Sequence, residues 1–570
     1  MKKTIFFLLL CIPGINVFAQ KGSWGEFPMV PVKSFSARAT ESGKIKNTPE
    51  HAQALKVYER LCEARGDYRY PVPEFYLTPK ELVAEIAYDA IPTIYLGVKA
   101  YQVCQSFGDQ ADAAMAFLLG HELTHYYEKH AWRKSFASNH HDLGISQQLD
   151  ELFQEMLKEA GQGKMRNKLM RFDTLMLQYD EVSMETQCDY LGGFLAYSAG
   201  YGAFTQGDSL IRRLYRAFSL DPDLPGYVSL SEREKLSNKS ARKLQDLVEV
   251  FEMANWLTTV GLYEEAYRYY RLVLSEYQSR EIFNNVGATA MLQALKLFSA
   301  DELTYRYPVQ LDLEMANSRG EEEEKLRKKL LEQALLHFDA AISLDPKYAP
   351  AYVNKACALA LLGDPVRATY YADVEARQAA VGKYAANLPM VEVILGILEA
   401  KNGADGEQKA RARFELAMKT DKSGLAAYNL AVLNKKPLPE DTPANTGFFE
   451  DESIDGQSPF SIVFPEIDKS MQIDNVLKFT QNTAMTEHSR LYVNSKNGKT
   501  SVLFQATRPV YTGETARGIK RGSTRQMVIQ QYGKPQQVIY TPTGQLLRYA
   551  EVIFVMKEDL VERWVLYAVK

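Results

Sequence analysis

From His51 onward the apolar residues Ala54, Leu55, Val57, Tyr58, Leu61 and Cys62 return every three to four positions, which predicts an amphipathic helix. Residues 20–50 before it are polar, with scattered Gly, Pro and Ser, and read as an exposed leader. Two short runs, Glu74 to Thr78 and Thr93 to Leu96, are bounded by prolines and predict strands of one small sheet beside helices. A long apolar helix is expected from Asp109 to about Trp132, carrying Ala113 through Gly120 straight into His121. Further helices are expected at about 145–160, 166–200 and 205–219, so that a first domain of residues 51–240 ends near Ser240.

Beyond it, residues 246–436 repeat a helix pair. Gly261-Leu-Tyr-Glu-Glu-Ala266 and Gly363-Asp-Pro-Val-Arg-Ala368 share their Gly-to-Ala spacing and lie 102 residues apart. That is three times the roughly 34-residue period of tetratricopeptide units. Asp345-Pro346, Ala349, Ala351-Tyr352 and the Ala410 to Met418 helix look like further members. One helix pair cannot bury its apolar face alone, so such repeats stack, and the stack leaves a concave groove. Residues 437–459, rich in Pro, Asp, Glu, Gly and Ser, read as a linker. After it come strand-like runs at Ser461 to Val463, Leu491 to Val493, Ser501 to Phe504, Gln537 to Tyr540, Val552 to Met556 and Trp564 to Val569, around one helix near Thr524 to Tyr532. A small α+β module at 460–570 is expected.

Composition narrows the class. Of the 570 residues 46% are hydrophobic and 24% charged, enough apolar surface for packed cores. Met1 to Gln20 has the build of a secretory signal: Lys2 and Lys3, an apolar run from Ile5 to Ile12, and Val17-Phe18-Ala19 before the cleavage point. Residues 1–19 are therefore read as a removable signal peptide, and the protein as periplasmic or secreted. No other stretch approaches the length needed to cross a bilayer, so no transmembrane segment is expected. Without the two lysines, 65 basic side chains face 71 acidic ones, which argues against a nucleic-acid partner. The four remaining cysteines, Cys62, Cys104, Cys188 and Cys357, fit no metal knuckle; a Cys62–Cys104 bridge is conceivable, and four unpaired buried thiols is the preferred reading.

One segment demands chemistry. In Gly120-His121-Glu122-Leu123-Thr124-His125 the two histidines are four apart on a helix, lie on one face, and can share one zinc ion. Glu122 is then offset beside the open coordination position, placed to accept a proton from attacking water. A third ligand is required. Glu128 and Ala131 stand where a metzincin has glycine and histidine, which excludes that class. On a continued helix His130 would sit about 180° around from His121, a surface or packing residue. Sixty residues on, Glu185-Thr-Gln-Cys-Asp189 places two carboxylates on one helix face, one as a ligand and one to hold a ligand histidine in its tautomer, with Glu181 competing for the ligand role.

The run Ala116-Phe-Leu-Leu-Gly-His-Glu-Leu-Thr-His125, with Glu185-x-x-x-Asp189-Tyr-Leu-Gly192 and Ala199-Gly200-Tyr201, resembles the gluzincin peptidases of the HtpX and BepA type over residues 50–240. The resemblance implies an α+β, mainly helical zincin peptidase domain, which with the all-α tetratricopeptide solenoid and the small C-terminal α+β domain read above makes a multidomain protein. It also implies one zinc per chain held by His121, His125 and Glu185, with Asp189 behind them and Glu122 as base. Gln187 and Cys188 stand where the family usually has Glu and Ala. Tyr227-Val-Ser-Leu-Ser-Glu-Arg233 aligns with a segment that begins His-Pro and ends in the same Arg, so Tyr227 and Arg233 join the catalytic candidates, the phenol as a donor to an oxyanion. Gly522 to Pro535 is similar to envelope modules of the SmpA/BamE type.

These readings predict an exported zinc metalloendopeptidase acting on protein or peptide substrates, in envelope quality control, with the repeats docking clients or an envelope partner. The alternative is a latent or non-catalytic chaperone-like adaptor that acts through its repeats. A structural zinc normally has four protein ligands, and only three are recognisable here, which favours catalysis. Two further readings are that the polar segment Ser135 to Gly144 with His140 and His141 is a solvated loop, with a latency loop over the cleft as the alternative, and that a substrate-pairing sheet edge lies near Tyr76 and Tyr95.

Overall fold

Local signals in the sequence start and stop the first helix, α1 (Pro49–Arg65): the Thr48 hydroxyl accepts the His51 N–H at 3.1 Å, Pro49 fits the first turn, and Gly66 closes the last turn at φ 57°. The structure is a computed structural model and describes residues 43–88, 91–130, 181–222, 229–299, 302–308, 321–421, 423–436, 447, 449, 451–459, 471–473, 477–480, 488–496, 499–541 and 544–569. The signal segment, the 145–160 helix, His140, His141 and Tyr227 lie outside the described residues. The chain is mainly helical and divides into two compact units, Met1–Val248 and Glu249–Lys570.

In the first unit α1 buries Ala54, Val57, Tyr58, Leu61 and Cys62, the face its periodicity predicts. Strands β1 (Glu74–Thr78), β2 (Ala84–Tyr88) and β3 (Pro92–Gly97) form a sheet in the order β1-β3-β2, with β1 parallel and β2 antiparallel to β3. Tyr95 is therefore on the central strand and presents no edge; the edges are β1, where Ile45 N–H bonds the Leu77 carbonyl at 2.9 Å, and β2. After α2 (Val98–Gln105) comes α3 (Ala111–Tyr127), which packs on α4 (Glu181–Ala196), followed by α5 (Gly207–Ala217) and α6 (Leu230–Thr259), whose last residues belong to the second unit.

The α3–α4 crossing is set by two glycines. A Cβ on Gly120 would lie 2.6 Å from the Gly192 carbonyl oxygen, and one on Gly192 would lie 2.5 Å from the His121 nitrogen. Only hydrogen fits at either position, so the helix backbones touch beside the two sequence motifs.

In the second unit α7 (Tyr263–Glu276), α8 (Arg280–Leu295), α9 (Glu321–Leu344), α10 (Ala349–Leu361) and α11 (Pro365–Tyr370) follow α6, and α12 (Leu388–Ala400), α13 (Gly403–Met418) and α14 (Leu425–Leu433) complete the helical part. The two matched sequence segments perform the same task. Gly261 and Gly363 take φ 77° and 81°; the next amides, Leu262 and Asp364, bond the Leu257 and Leu359 carbonyls at 2.9 Å; Ala266 and Ala368 are fully buried. Each is a glycine-closed helix end followed by a small residue against which the neighbouring helix packs. An eight-stranded antiparallel sheet follows, from β4 (Met471–Ile473), β5 (Leu477–Thr480), β6 (Ser489–Lys496) and β7 (Lys499–Thr507), through α15 (Arg525–Tyr532), to β8 (Gln537–Thr541), β9 (Gly544–Arg548), β10 (Val552–Lys557) and β11 (Leu560–Val569), in the order β4-β5-β6-β7-β11-β10-β9-β8. Val528 and Tyr532 of α15 pack with Phe554 and Trp564. Arg490 and Arg563 bind the buried Glu249 and Glu252 at 3.1 and 3.0 Å. Cys62, Cys104, Cys188 and Cys357 are buried and unpaired. No helix among the described residues is long and apolar enough to cross a membrane.

Candidate metal centre

Because α3 and α4 touch at Gly120 and Gly192, the side chains one and two turns away along each helix converge. His121 and His125, one turn apart on α3, bring their Nε2 atoms to 3.0 Å from each other. The Glu185 carboxylate of α4 closes the triangle with one oxygen to each ring, Oε2 3.2 Å from His121 Nε2 and Oε1 3.3 Å from His125 Nε2. Donors bound to one tetrahedral ion at about 2.0–2.1 Å stand roughly 3.3 Å apart, so these three fit a single small divalent cation. His121, His125 and Glu185 thus come together as the sequence predicts. Glu181, the competing residue, begins α4 one turn earlier.

Asp189 is buried and its Oδ1 lies 2.8 Å from His121 Nδ1. In a neutral His121 a carboxylate there accepts the Nδ1 hydrogen, which would leave the Nε2 lone pair for a cation at the centre. Arg233 of α6 donates to Glu185 Oε2 at 3.1 Å and approaches Asp189 at 3.8 Å, so it holds the third donor in place. Charge pairing is strong here. Burial acts to lower the His121 pKa, but the hydrogen bonds its ring donates to Asp189 and Glu185 outweigh it and push the value up to about 10. Burial likewise opposes ionisation of Glu185, and its pairing with His121 and then His125 overcomes this, holding that carboxyl well below the usual range.

Four further residues lie near the centre, none of which the sequence reading assigned to the site. Tyr88 ends β2 and its hydroxyl lies 3.4 Å from the His125 carbonyl; burial, then the Glu122 charge, raise its pKa. His130 is a buried packing residue, with Nδ1 at 3.1 Å from His125 Nδ1 and 3.3 Å from the Cys188 sulfur, and Nε2 at 3.2 Å from Gln187 Oε1. Burial, then the charges of Glu185 and Glu122, push the Cys188 thiol well up, so it stays protonated. The cysteine sulfur also lies within 4.8 Å of donor atoms of His121 and His125. No pattern in the sequence marked these positions except the proximity of Gln187 and Cys188 to Glu185.

No family model matches the chain, and no curated protein matches it. Among solved structures it is similar to a thermophilic tetratricopeptide-repeat protein of Thermus thermophilus, at 17% identity and a TM-score of 0.25, over 44% of this chain and 99% of that one.

Proposed function

We propose that the chain is an exported zinc-dependent endopeptidase that cleaves protein clients, with His121, His125 and Glu185 holding one zinc per chain. The observation that carries this reading is the 3.0–3.3 Å triangle of two imidazole nitrogens and one carboxylate, directly beside Glu122 in sequence. Three protein donors leave a coordination position open, as in catalytic rather than structural sites. A zinc ion bound there supplies Lewis acidity toward a water and toward the scissile carbonyl. Glu122 accepts the proton of the attacking water and returns it to the departing amine, so that the C–N bond breaks to a carboxylic acid and an amine. Asp189 keeps His121 in the tautomer that donates from Nε2. Arg233 steadies Glu185, and Tyr227 is proposed as the oxyanion donor on the strength of the resemblance alone.

Edge strand β2 supports a substrate path. It ends at Tyr88, against the backbone of His125, so an extended client segment added to β2 as a further antiparallel strand runs beside the donors. The helical repeats of the second unit are assigned to client or partner docking in envelope quality control, because stacked helix pairs present an extended concave face. Cleavage of an unfolded protein by wild type and by Glu122→Gln, with metal content measured on both, tests the proposal: the variant should keep zinc and lose cleavage.

A further inference from the structure

On a straight helix His130 would point away from the centre, yet its ring returns to the back of His125. The backbone explains how. Glu128 and Lys129 close α3 with amides bonded to the Thr124 and Tyr126 carbonyls at 2.9 and 3.1 Å, and Lys129 takes φ 57°, a left-handed conformation costing a side-chain-bearing residue about 1–2 kcal/mol. Partners on both residues offset that cost. Lys129 bonds the Tyr70 hydroxyl and lies 4.2 Å over its ring, and Glu128 pairs with Arg65 at 3.4 Å. The reversal delivers His130 into a buried position between His125 on one side and Gln187 and Cys188 on the other.

We infer that His130 and Gln187 are positioning residues that fix the tautomer of His125. This rests on the zinc reading above. An amide oxygen can only accept, so Gln187 Oε1, 3.2 Å from His130 Nε2, requires the hydrogen of a neutral His130 to be on Nε2. His130 Nδ1 is then an acceptor. It receives the Nδ1 hydrogen of His125 across 3.1 Å, and the Cys188 thiol hydrogen can share it across 3.3 Å. His125 Nε2 then carries no hydrogen of its own: it can accept one from His121 Nε2 across 3.0 Å, and its lone pair is the one a cation at the centre would take. The opposite orientation of the Gln187 amide would reverse every step and put a hydrogen on His125 Nε2, where a metal must bind. The two ligand histidines are thus ordered by different devices: His121 by the Asp189 carboxylate, His125 by an imidazole that a side-chain amide orients.

The test uses the full chain. Zinc affinity is measured by chelator competition for wild type, His121→Ala, His130→Phe, Gln187→Leu, Gln187→Glu and Cys188→Ala, and ring-nitrogen NMR of ¹⁵N-histidine-labelled protein reads the tautomers. Losing either relay member should weaken zinc by about tenfold or more, the usual penalty for removing a partner behind a ligand. Gln187→Glu keeps an acceptor and should retain affinity, Cys188→Ala should bind as wild type, and His130 should carry its hydrogen on Nε2. Gln187→Leu serves as the test if His130→Phe fails to fold. Wild-type affinity in Gln187→Leu, a hydrogen on His130 Nδ1, or a loss in Cys188→Ala equal to that in Gln187→Leu would overturn the relay while leaving the zinc reading intact. Absence of stoichiometric zinc in wild type, or full zinc affinity in His121→Ala, would overturn both.

Discussion

Replacing Gly192 by alanine adds one methyl group at the point where α3 and α4 touch. Its Cβ would stand 2.5 Å from the His121 nitrogen, 2.6 Å from the Gly120 carbonyl carbon and 2.8 Å from its oxygen. All three are backbone atoms in a helix, so none can swing aside. Reaching an ordinary contact of about 3.5 Å requires the helices to part by roughly 1 Å. Overpacking of this kind costs about 1–3 kcal/mol. The chemical consequence is larger than the energetic one. Asp189 and Glu185 lie three and seven residues before Gly192 on α4, so a shift of the helix moves both away from His121. The 2.8 Å Asp189 contact then stretches toward the limit of a hydrogen bond, and the donor triangle opens beyond what one small ion spans. Gly193→Ala is the matched control, because its Cβ meets only the end of the Leu244 side chain, which can rotate. Thermal melting and chelator-competition zinc titration of the two variants read both effects. Gly192→Ala should melt lower and lose most of its zinc affinity, and Gly193→Ala should stay near wild type. If Gly192→Ala kept wild-type melting and zinc affinity, the helix crossing would not be what assembles the site.

Other consequences follow from the charges. In chelator-treated protein the His121 pKa, about 10 when folded against 6.5 for a free imidazole, contributes stability that is complete below about pH 6.5 and lost as pH rises through 10; melting temperature should fall across that window, and a flat profile would contradict it. Zinc has to displace that proton, so calorimetry near about pH 7.5 in buffers of different ionisation enthalpy should show net proton release, and none would count against His121 as a ligand. Arg233→Met should weaken zinc by about tenfold by freeing Glu185, and equal affinity would remove Arg233 from the site's support. Arg280 and Asp345 form a buried pair in the helical repeats, with Glu281 as a partly exposed second partner of Arg280. Asp345→Ala should therefore cost about 3 kcal/mol and Glu281→Ala under about 1 kcal/mol by denaturant unfolding of that unit, and equal costs would refute the burial argument.

Helical phase made much of the site legible. Spacings of four residues place His121 with His125 and Glu185 with Asp189, and a spacing survives any tertiary arrangement that keeps the helix intact. Glycines were less legible: Gly120 and Gly192 stand in the motifs, but that they touch one another is a tertiary property. Ideal helix geometry extended past Tyr127 puts His130 on the far side of the helix, whereas Lys129 turns left-handed and brings the ring back behind His125. Strand β2 was missed because Ala84-Glu-Ile-Ala-Tyr88 has little intrinsic strand preference and is held by pairing with β3. The same pairing moves Tyr95 to the centre of the sheet. In the repeats, the matching turns at Gly261 and Gly363 could be read from one chain because a left-handed helix end restricts the residue that occupies it.

Metal content and cleavage measured on the same preparations of full-length protein test the central claim most directly. Wild type should carry one zinc per chain and cleave an unfolded protein substrate, Glu122→Gln should carry one zinc and fail to cleave, and Glu185→Ala should lose the metal. Cleavage by Glu122→Gln at the wild-type rate, or wild-type protein that folds without taking up zinc, would contradict it.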